Sequence, residues 1–386
     1  MKKIFAVING HILENFGTNT SPTYTRINQL LTEMNKLDDI EIISIQFKQF
    51  SQCLAHGEPR NELLRTYINF FSVIYNNIVK TIVLAKSIFI LIKIKPLVYF
   101  AYPHSITTIQ NRLVFKFCKL FKFSIILDIH DTIEQATAIS NGISAINSRI
   151  EDYSLRNSTL LLPLNGQMRN YIRNIYNLSD KLIVPVPNAF EDELIEKFPD
   201  LYEYVSGRFN VCYIGGLGKN RGVDLLVKAC ANLHKKYEYL NLYLFGPYEF
   251  GLQNRTRELI EESDFIIRKL VPRIDLPDAL HSIDLFVMPY NPDEEYMKFV
   301  SPTKLFEYIG TGKPILCTKC ESLLEIGKDG SIMYVDYDVD DIERKIELLI
   351  NCPQIRVNMS KGLFKMRSQH TWKTRAITVH DAIMSL

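Results

Sequence analysis

Residues 209–229 read FNVCYIGGLGKNRGVDLLVKA. The first six, Phe209–Ile214, form a short apolar run that predicts a buried strand. Gly215 and Gly216 end the run, and from Gly222 to His234 the pattern turns helical. A strand, a glycine-bearing loop and a helix start form a unit in which backbone N–H groups can approach a phosphate. The loop is not a P-loop, because Asn220 follows Lys219 where Ser or Thr is required, and it does not match GxGxxG. Taken alone, the stretch leaves a phosphate site and an ordinary βα loop both open.

The same alternation extends in both directions. Downstream, strand-like runs at Leu240–Phe245, Phe265–Lys269, Leu285–Met288 and Pro314–Cys317 are interleaved with helical patterns at Leu276–Ser282 and Lys304–Ile309. Upstream, Lys3–Ile8, Ile40–Gln46, Leu97–Tyr102, Ser124–Ile129 and Thr159–Pro163 alternate with helices such as Tyr24–Asn35 and Arg112–Leu120. Alternation of this kind implies βαβ units and parallel sheets. The expected architecture is α/β, with a Rossmann-like domain over residues 1–187 and a second over 188–370. A C-terminal helix over 371–386 is expected to pack back toward the first. The joint falls near Pro185 and Pro187, which interrupt regular structure. Ligands of such domains sit at the carboxyl ends of strands, so a cleft between two facing domains is expected.

The length of 386 residues and the 47% hydrophobic and 23% charged fractions suit two or three globular domains, not a disordered or disulfide-stapled chain. Seven scattered cysteines point to reduced thiols and a cytoplasmic setting. Cys317 and Cys320 form the one CxxC, without a second pair nearby, so a strand end explains them better than zinc. No signal peptide and no membrane span are expected; Lys86 and Lys93 interrupt the most apolar stretch, Thr81–Ile94. The net charge of +2 hides a split. Leu63–Leu127 holds nine Lys and Arg and no Asp or Glu, so this window is +9 and the remainder −7. Within it Arg112, Lys116 and Lys119 share one helix face, with Phe115, Phe117, Cys118, Leu120 and Phe121 on the rest. A basic helix bearing aromatics suits an anionic membrane surface. A solvated face over a core helix is the simpler alternative. No RNA-type aromatic motif accompanies the patch, so nucleic acid is not expected.

Other loops could carry chemistry. Gly17 and Thr18 lie in a second glycine-bearing loop, where Ser21 and Pro22 suit a helix start. In Ser301-Pro302-Thr303-Lys304-Leu305-Phe306-Glu307, Ser301 is expected to cap a helix whose first position is Pro302. Lys304 adds a cation there, and Glu307 could accept from sugar or ribose hydroxyls, or simply favour the helix dipole. Asp128-Ile129-His130-Asp131 closes a strand, placing His130 and Asp131 where acid–base or hydroxyl contacts are made. The DxD strings at Asp336, Asp338 and Asp340 read as helix capping before Asp341–Ile350, and metal is not expected. Trp372 reads as an anchor for the last helix.

Together these motifs resemble the GT-B glycosyltransferases, specifically the retaining glycosyltransferase family four (group 1) of bacterial surface polysaccharide, lipopolysaccharide, capsule and glycolipid synthesis. The resemblance spans the chain. It rests on VPNAF (186–190), YIGGLGKNRGVDLLVKA (213–229), LYLFGP (242–247), VPRIDLPDALHSIDLFVMPY (271–290) and above all SPTKLFEYIGTGKPIL (301–316). It implies a GT-B fold, with the first domain binding acceptor and the second binding a nucleoside-diphosphate sugar, UDP- or GDP-linked. Glu307 would hold the ribose; Ser301, Thr303 and Lys304 would face the diphosphate or sugar. Gly215, Gly216, Lys219 and Arg221 would cradle the diphosphate, with Arg221 in the place of the family's Lys, and Gly17 and Thr18 would approach it from the first domain. His130 would touch the donor sugar. Two positions depart from the family: Phe299 replaces a carboxylate and Gly216 an Arg, with Lys219 or Lys304 as substitute cations. The implied function is hexosyl transfer with retention, without metal or cofactor, to a lipid-linked or polysaccharide acceptor. The enzyme would be peripheral on the inner face of the cytoplasmic membrane, docking through residues 63–127. A nucleotide-sugar epimerase and a weakened, membrane-associated partner of a glycosyltransferase complex are the alternatives.

Overall fold

Parallel strands buried on both faces need continuous apolar runs, and such runs form both sheets. The computed structural model describes residues 3–8, 22–45, 82, 85–86, 88–106, 109–135, 148–198, 207–327 and 330–386. The first sheet contains β1 (Lys3–Ile8), β2 (Ile40–Ile45), β3 (Leu97–Tyr102), β4 (Ile125–Ile129), β5 (Leu160–Pro163) and β6 (Leu182–Ile183). All its pairings are parallel, in the order β2-β1-β3-β4-β5-β6. The second contains β7 (Phe209–Ile214), β8 (Leu240–Phe245), β9 (Ile266–Lys269), β10 (Leu285–Met288), β11 (Ile315–Thr318) and β12 (Met333–Val335). It too is wholly parallel, in the order β12-β11-β10-β7-β8-β9.

Two short strands, β6 and β12, carry too few residues for a sequence pattern and were not expected. The chain divides into two compact units. One comprises Met1–Pro163, Arg173–Val184 and Ala382–Leu386; the other comprises Leu164–Ile172 and Pro185–Asp381. In each sheet the strand order reverses beside the first strand of its unit, between β1 and β3 and between β7 and β10. Such switch points open a crevice at the strand carboxyl ends.

Several local expectations are settled by packing. Trp372 is buried at the start of the helix Trp372–Met384. Its backbone N–H donates to the Phe190 carbonyl at 3.0 Å, and the Phe190 backbone N–H to that of His370 at 3.2 Å. Asp338 caps Val339–Asn351, accepting from the N–H groups of Asp340 and Asp341. Cys317 and Cys320 are buried free thiols at the end of β11 and the loop after it. Among the described residues, no helix is long and apolar enough to cross a membrane.

On the helix Ile109–Leu120, Lys116 and Lys119 are exposed as expected, whereas Arg112 is partly buried. Phe115 and Cys118 point into the core. Arg112 folds back so that Nε donates to the Ile106 carbonyl at 2.9 Å. Ile109, Leu113 and Leu120 share the exposed side with the two lysines, Ile109, Leu113, Lys116 and Leu120 forming the i, i+4, i+7, i+11 face of the helix.

Candidate active site

The crevice of the second sheet is built on backbone that only glycine accommodates. Gly215, just past β7, has φ +122°, and a Cβ there would lie 2.1 Å from Lys304 Nζ. Gly222 has φ +66° ahead of the helix Val223–His234. A Cβ on Gly222 would meet the Pro289 carbonyl oxygen at 1.7 Å, so the loop after β7 and the end of β10 are in intimate contact. Tyr308 locks the arrangement from below: its hydroxyl accepts from Ile214 N–H at 2.9 Å, and its ring stacks on Phe286.

Two cations converge on this point. The Arg221 guanidinium lies 5.1 Å from the Tyr290 ring centroid. Lys304 Nζ lies 5.0 Å from the Tyr213 ring and 5.4 Å from the Tyr290 ring, and donates to Tyr213 Oη at 3.4 Å. Burial works against the Lys304 charge, but Tyr213 and Tyr290 outweigh it and hold the ammonium above its ordinary pKa. Burial pushes Tyr213 up to about 12 although Lys304 pulls it down, so its hydroxyl stays protonated at neutral pH. Lys304 projects from the first turn of the helix Thr303–Thr311, before which Pro302 offers no side-chain cap. A helix start with its N–H groups uncapped by side chains favours an anion.

Ser301 does not supply that cap, contrary to expectation. Its Oγ accepts from Asn188 N–H at 2.9 Å and its carbonyl accepts from Asn188 Nδ2, so it is tied into the 185–190 segment. Pro302 is therefore the residue before the helix and Thr303 its first member. Ser301 also lines a cavity of about 460 Å³ with Asn165, Glu325, Lys365, His370 and Arg375. Gly215, Arg221, Lys304 and Glu307 take no part in that cavity, whereas the cation pair has the chemistry of an anion site; we place the site at the cations. Gly216 is overlain by Glu249, whose Oε1 would be 1.7 Å from a Cβ at that position. Lys219 begins the 3-10 turn Lys219–Arg221, but its side chain lies outside the described set.

Glu307 lies one turn along the same helix, buried, and accepts from Arg273 Nη1 at 3.1 Å. Arg273 Nη2 reaches Glu191 Oε1 at 3.1 Å, so one guanidinium bridges two carboxylates. Arg273, Tyr213 and Tyr290 were missed as site residues. The only sequence signals were an Arg directly after Pro272 and an aromatic near the end of each strand. Phe299 is buried with its ring 4.9 Å from that of Tyr171.

Of the residues expected from the first unit, Gly17 and Thr18 lie outside the described residues. His130 and Asp131 follow β4, where burial raises the Asp131 pKa and His130 pulls it back. His130 Nε2 lies 2.8 Å from Oδ2 of Asp128. Among the described residues, no group of three or more His, Cys, Asp or Glu side chains could hold a metal ion.

This geometry can be set beside known proteins. Residues 196–366 match the family model Glycosyl transferases group 1. The group 1 segment thus contains the glycine loop, both cations, Arg273 and Glu307. No significant match was found among curated proteins. Solved structures resemble the whole chain. Sucrose-phosphate synthase from Thermosynechococcus elongatus is 13% identical, with a TM-score of 0.64 covering 100% of this chain and 99% of that one. Anabaena Alr3699/HepE in complex with UDP is 15% identical, with a TM-score of 0.61 over 100% of both chains. A trehalose-6-phosphate synthase is 10% identical, with a TM-score of 0.59 over 100% of this chain and 99% of that one. At these identities the likeness is one of fold, and the fold is GT-B.

Proposed function

We propose that the protein is a retaining glycosyltransferase that takes a UDP- or GDP-linked hexose as donor. The observation that carries this reading is the convergence of Arg221 and Lys304 on Tyr290, at the switch point of the second sheet. A diphosphate leaving group needs positive charge placed before reaction. Here two side-chain cations, the glycine loop and the start of Thr303–Thr311 supply it, so transfer proceeds without a metal. Each charge-assisted hydrogen bond of this kind is worth about 1.5–3 kcal/mol. Glu307 accepts the ribose hydroxyls once Arg273 yields to them. Support for a nucleotide donor comes from the group 1 match and from Anabaena Alr3699/HepE, which was solved with UDP and with UDP-glucose.

The acceptor is a saccharide, most naturally lipid-linked, held by the first unit. That unit carries the acid-free basic window and meets the inner face of the cytoplasmic membrane through it. Front-face attack, with the donor phosphate taking the acceptor proton, gives retention.

The test is donor turnover. Glu307→Ala and Arg221→Ala are each expected to lower it at least tenfold with an unchanged melting temperature, and EDTA is expected to leave the wild type unaffected. Full activity in both variants would reject the site. UDP binding by calorimetry without turnover would assign the chain to a binding partner's role instead.

A further inference from the structure

The loop after β8 brings a carboxylate onto the glycine loop that the proposed donor site does not use. Leu217 N–H donates to the Pro247 carbonyl at 2.8 Å, and Glu249 N–H to the Leu217 carbonyl at 3.1 Å. The loops that follow β7 and β8 therefore run side by side, with Leu217 bridged to Tyr248. This pairing fixes the Glu249 backbone against the glycine loop, and its solvent-exposed side chain lies back across that loop. A Cβ on Gly216 would come within 1.7 Å of Glu249 Oε1, and one on Gly218 within 3.2 Å of Oε2. The Gly216 carbonyl accepts from Tyr213 Oη at 3.1 Å, and Gly215 meets Lys304 Nζ in the way that Gly216 meets Glu249. An ammonium and a carboxylate thus rest on successive glycines.

Glu249 also acts on the other cation. Burial works against the Arg221 charge, but Tyr290, Tyr213 and Glu249 outweigh it and hold the guanidinium above its ordinary pKa. The charges of substrate and product give this arrangement a consequence. In a nucleoside-diphosphate sugar each phosphate carries one negative charge. Once the sugar has left, the terminal phosphate is a monoester whose second ionisation falls near pH 6, so the free nucleoside diphosphate carries about one charge more at pH 8. Arg221 and Lys304 alone would hold that product more firmly than the donor and slow its release. A carboxylate fixed on the same loop repels the additional charge, and a repulsive element is an effective means of choosing between ligands.

We propose that Glu249 is a specificity-determining residue that makes the glycine loop favour a nucleoside-diphosphate sugar over the free nucleoside diphosphate left by transfer. The identity of the two ligands rests on the glycosyl-transfer reading; the repulsion rests on the loop alone. Its effect falls on affinity and product release.

The test is calorimetry on the full-length protein at pH 8 and low salt, comparing UDP with UDP-glucose and GDP with GDP-mannose. Glu249→Gln keeps the shape and removes the charge. It is expected to tighten the free diphosphate at least fivefold and the matching sugar nucleotide less than twofold, and to strengthen product inhibition of turnover in step. Equal tightening of both ligands, no change in either, or weaker binding of the free diphosphate would overturn the proposal. Glu249→Asp keeps the charge and is expected to hold the wild-type preference within twofold. If it behaves like Glu249→Gln, shape and not charge is the cause, and the proposal falls.

Salt gives a readout that a structural role would not move. In 0.5 M salt the difference between wild type and Glu249→Gln is expected to shrink at least twofold; a difference unmoved by salt is not electrostatic and counts against the proposal. If no nucleotide binds either protein, the glycosyl-transfer reading fails. Methyl diphosphate and dimethyl diphosphate, with one methyl on each phosphate, differ by the same one charge and then decide the role of Glu249 through the same comparison. If neither of these binds, the loop holds no diphosphate and the proposal fails too.

Discussion

Lys304 holds its charge half-buried against two phenol rings, and the rings are what make that placement stable. A cation over an aromatic face gains about 0.5–2 kcal/mol, more as water is excluded. With Gly at position 216, Lys304 is the second cation beside Arg221. Lys304→Met keeps the length and packing but removes the charge. It is expected to weaken UDP binding at least tenfold, about 1.4 kcal/mol, with little change in melting temperature; calorimetry measures it. Unaltered affinity would leave Arg221 as the sole anchor. Phe299 makes the opposite point. Placing a carboxylate there by Phe299→Glu would bury a charge against Tyr171. The expected result is a loss of about 2–5 kcal/mol in urea unfolding and no gain in turnover.

Among the elements, the helix Thr303–Thr311 does most to assemble the site, since Lys304, Glu307 and Tyr308 all project from it. It stops at Gly312, which has φ +69° and would place a Cβ 2.0 Å from the Phe364 ring. Both facts forbid a side chain there. Gly312→Ala is expected to cost about 1–3 kcal/mol from overpacking and backbone strain together, read as a lower urea midpoint. A neutral result would mean the ring moves aside freely. This helix and the ten longer strands were legible in the sequence because burial on both faces leaves continuous apolar runs. What was not legible depends on residues far apart in the chain. Lys304 meets Tyr213 across 91 positions, and Glu307 meets Arg273 across 34. The expected cap at Ser301 failed for the same reason: Asn188, 113 residues earlier, takes its oxygen. The buried contact of Asp128 with His130 was not legible either, because a buried Asp reads in sequence as one more polar residue at a strand end.

For the whole molecule the decisive property is where charge and exposed apolar surface coincide. The chain carries +2 overall, yet Leu63–Leu127 carries +9 and the remainder −7. Within that window Lys86, Lys93, Lys95, Lys116, Lys119 and Lys122 are exposed. So are Phe89, Ile92, Ile109, Leu113, Leu120 and Phe121, with Leu120 76% exposed. The proposed membrane contact would draw on both sets, the lysines for anionic headgroups and the large apolar side chains for the interface; lysines alone would suit a solvated face. Each lysine near an anionic surface adds about 1 kcal/mol, and each inserted Leu or Phe about 1.5–3 kcal/mol. The protein is therefore expected to sediment with vesicles containing phosphatidylglycerol at low salt and at least fivefold less in 0.5 M salt, where the attraction of the exposed lysines is screened. The double variant Lys116→Glu/Lys119→Glu should release it even at low salt. Leu120→Ser/Phe121→Ser should weaken binding at every salt concentration, without loss of stability, because both side chains are already outside the core. If the serine pair binds like wild type, contact is electrostatic only. If wild type ignores the vesicles at low salt, the basic window is a solvated face and the acceptor need not come from a membrane.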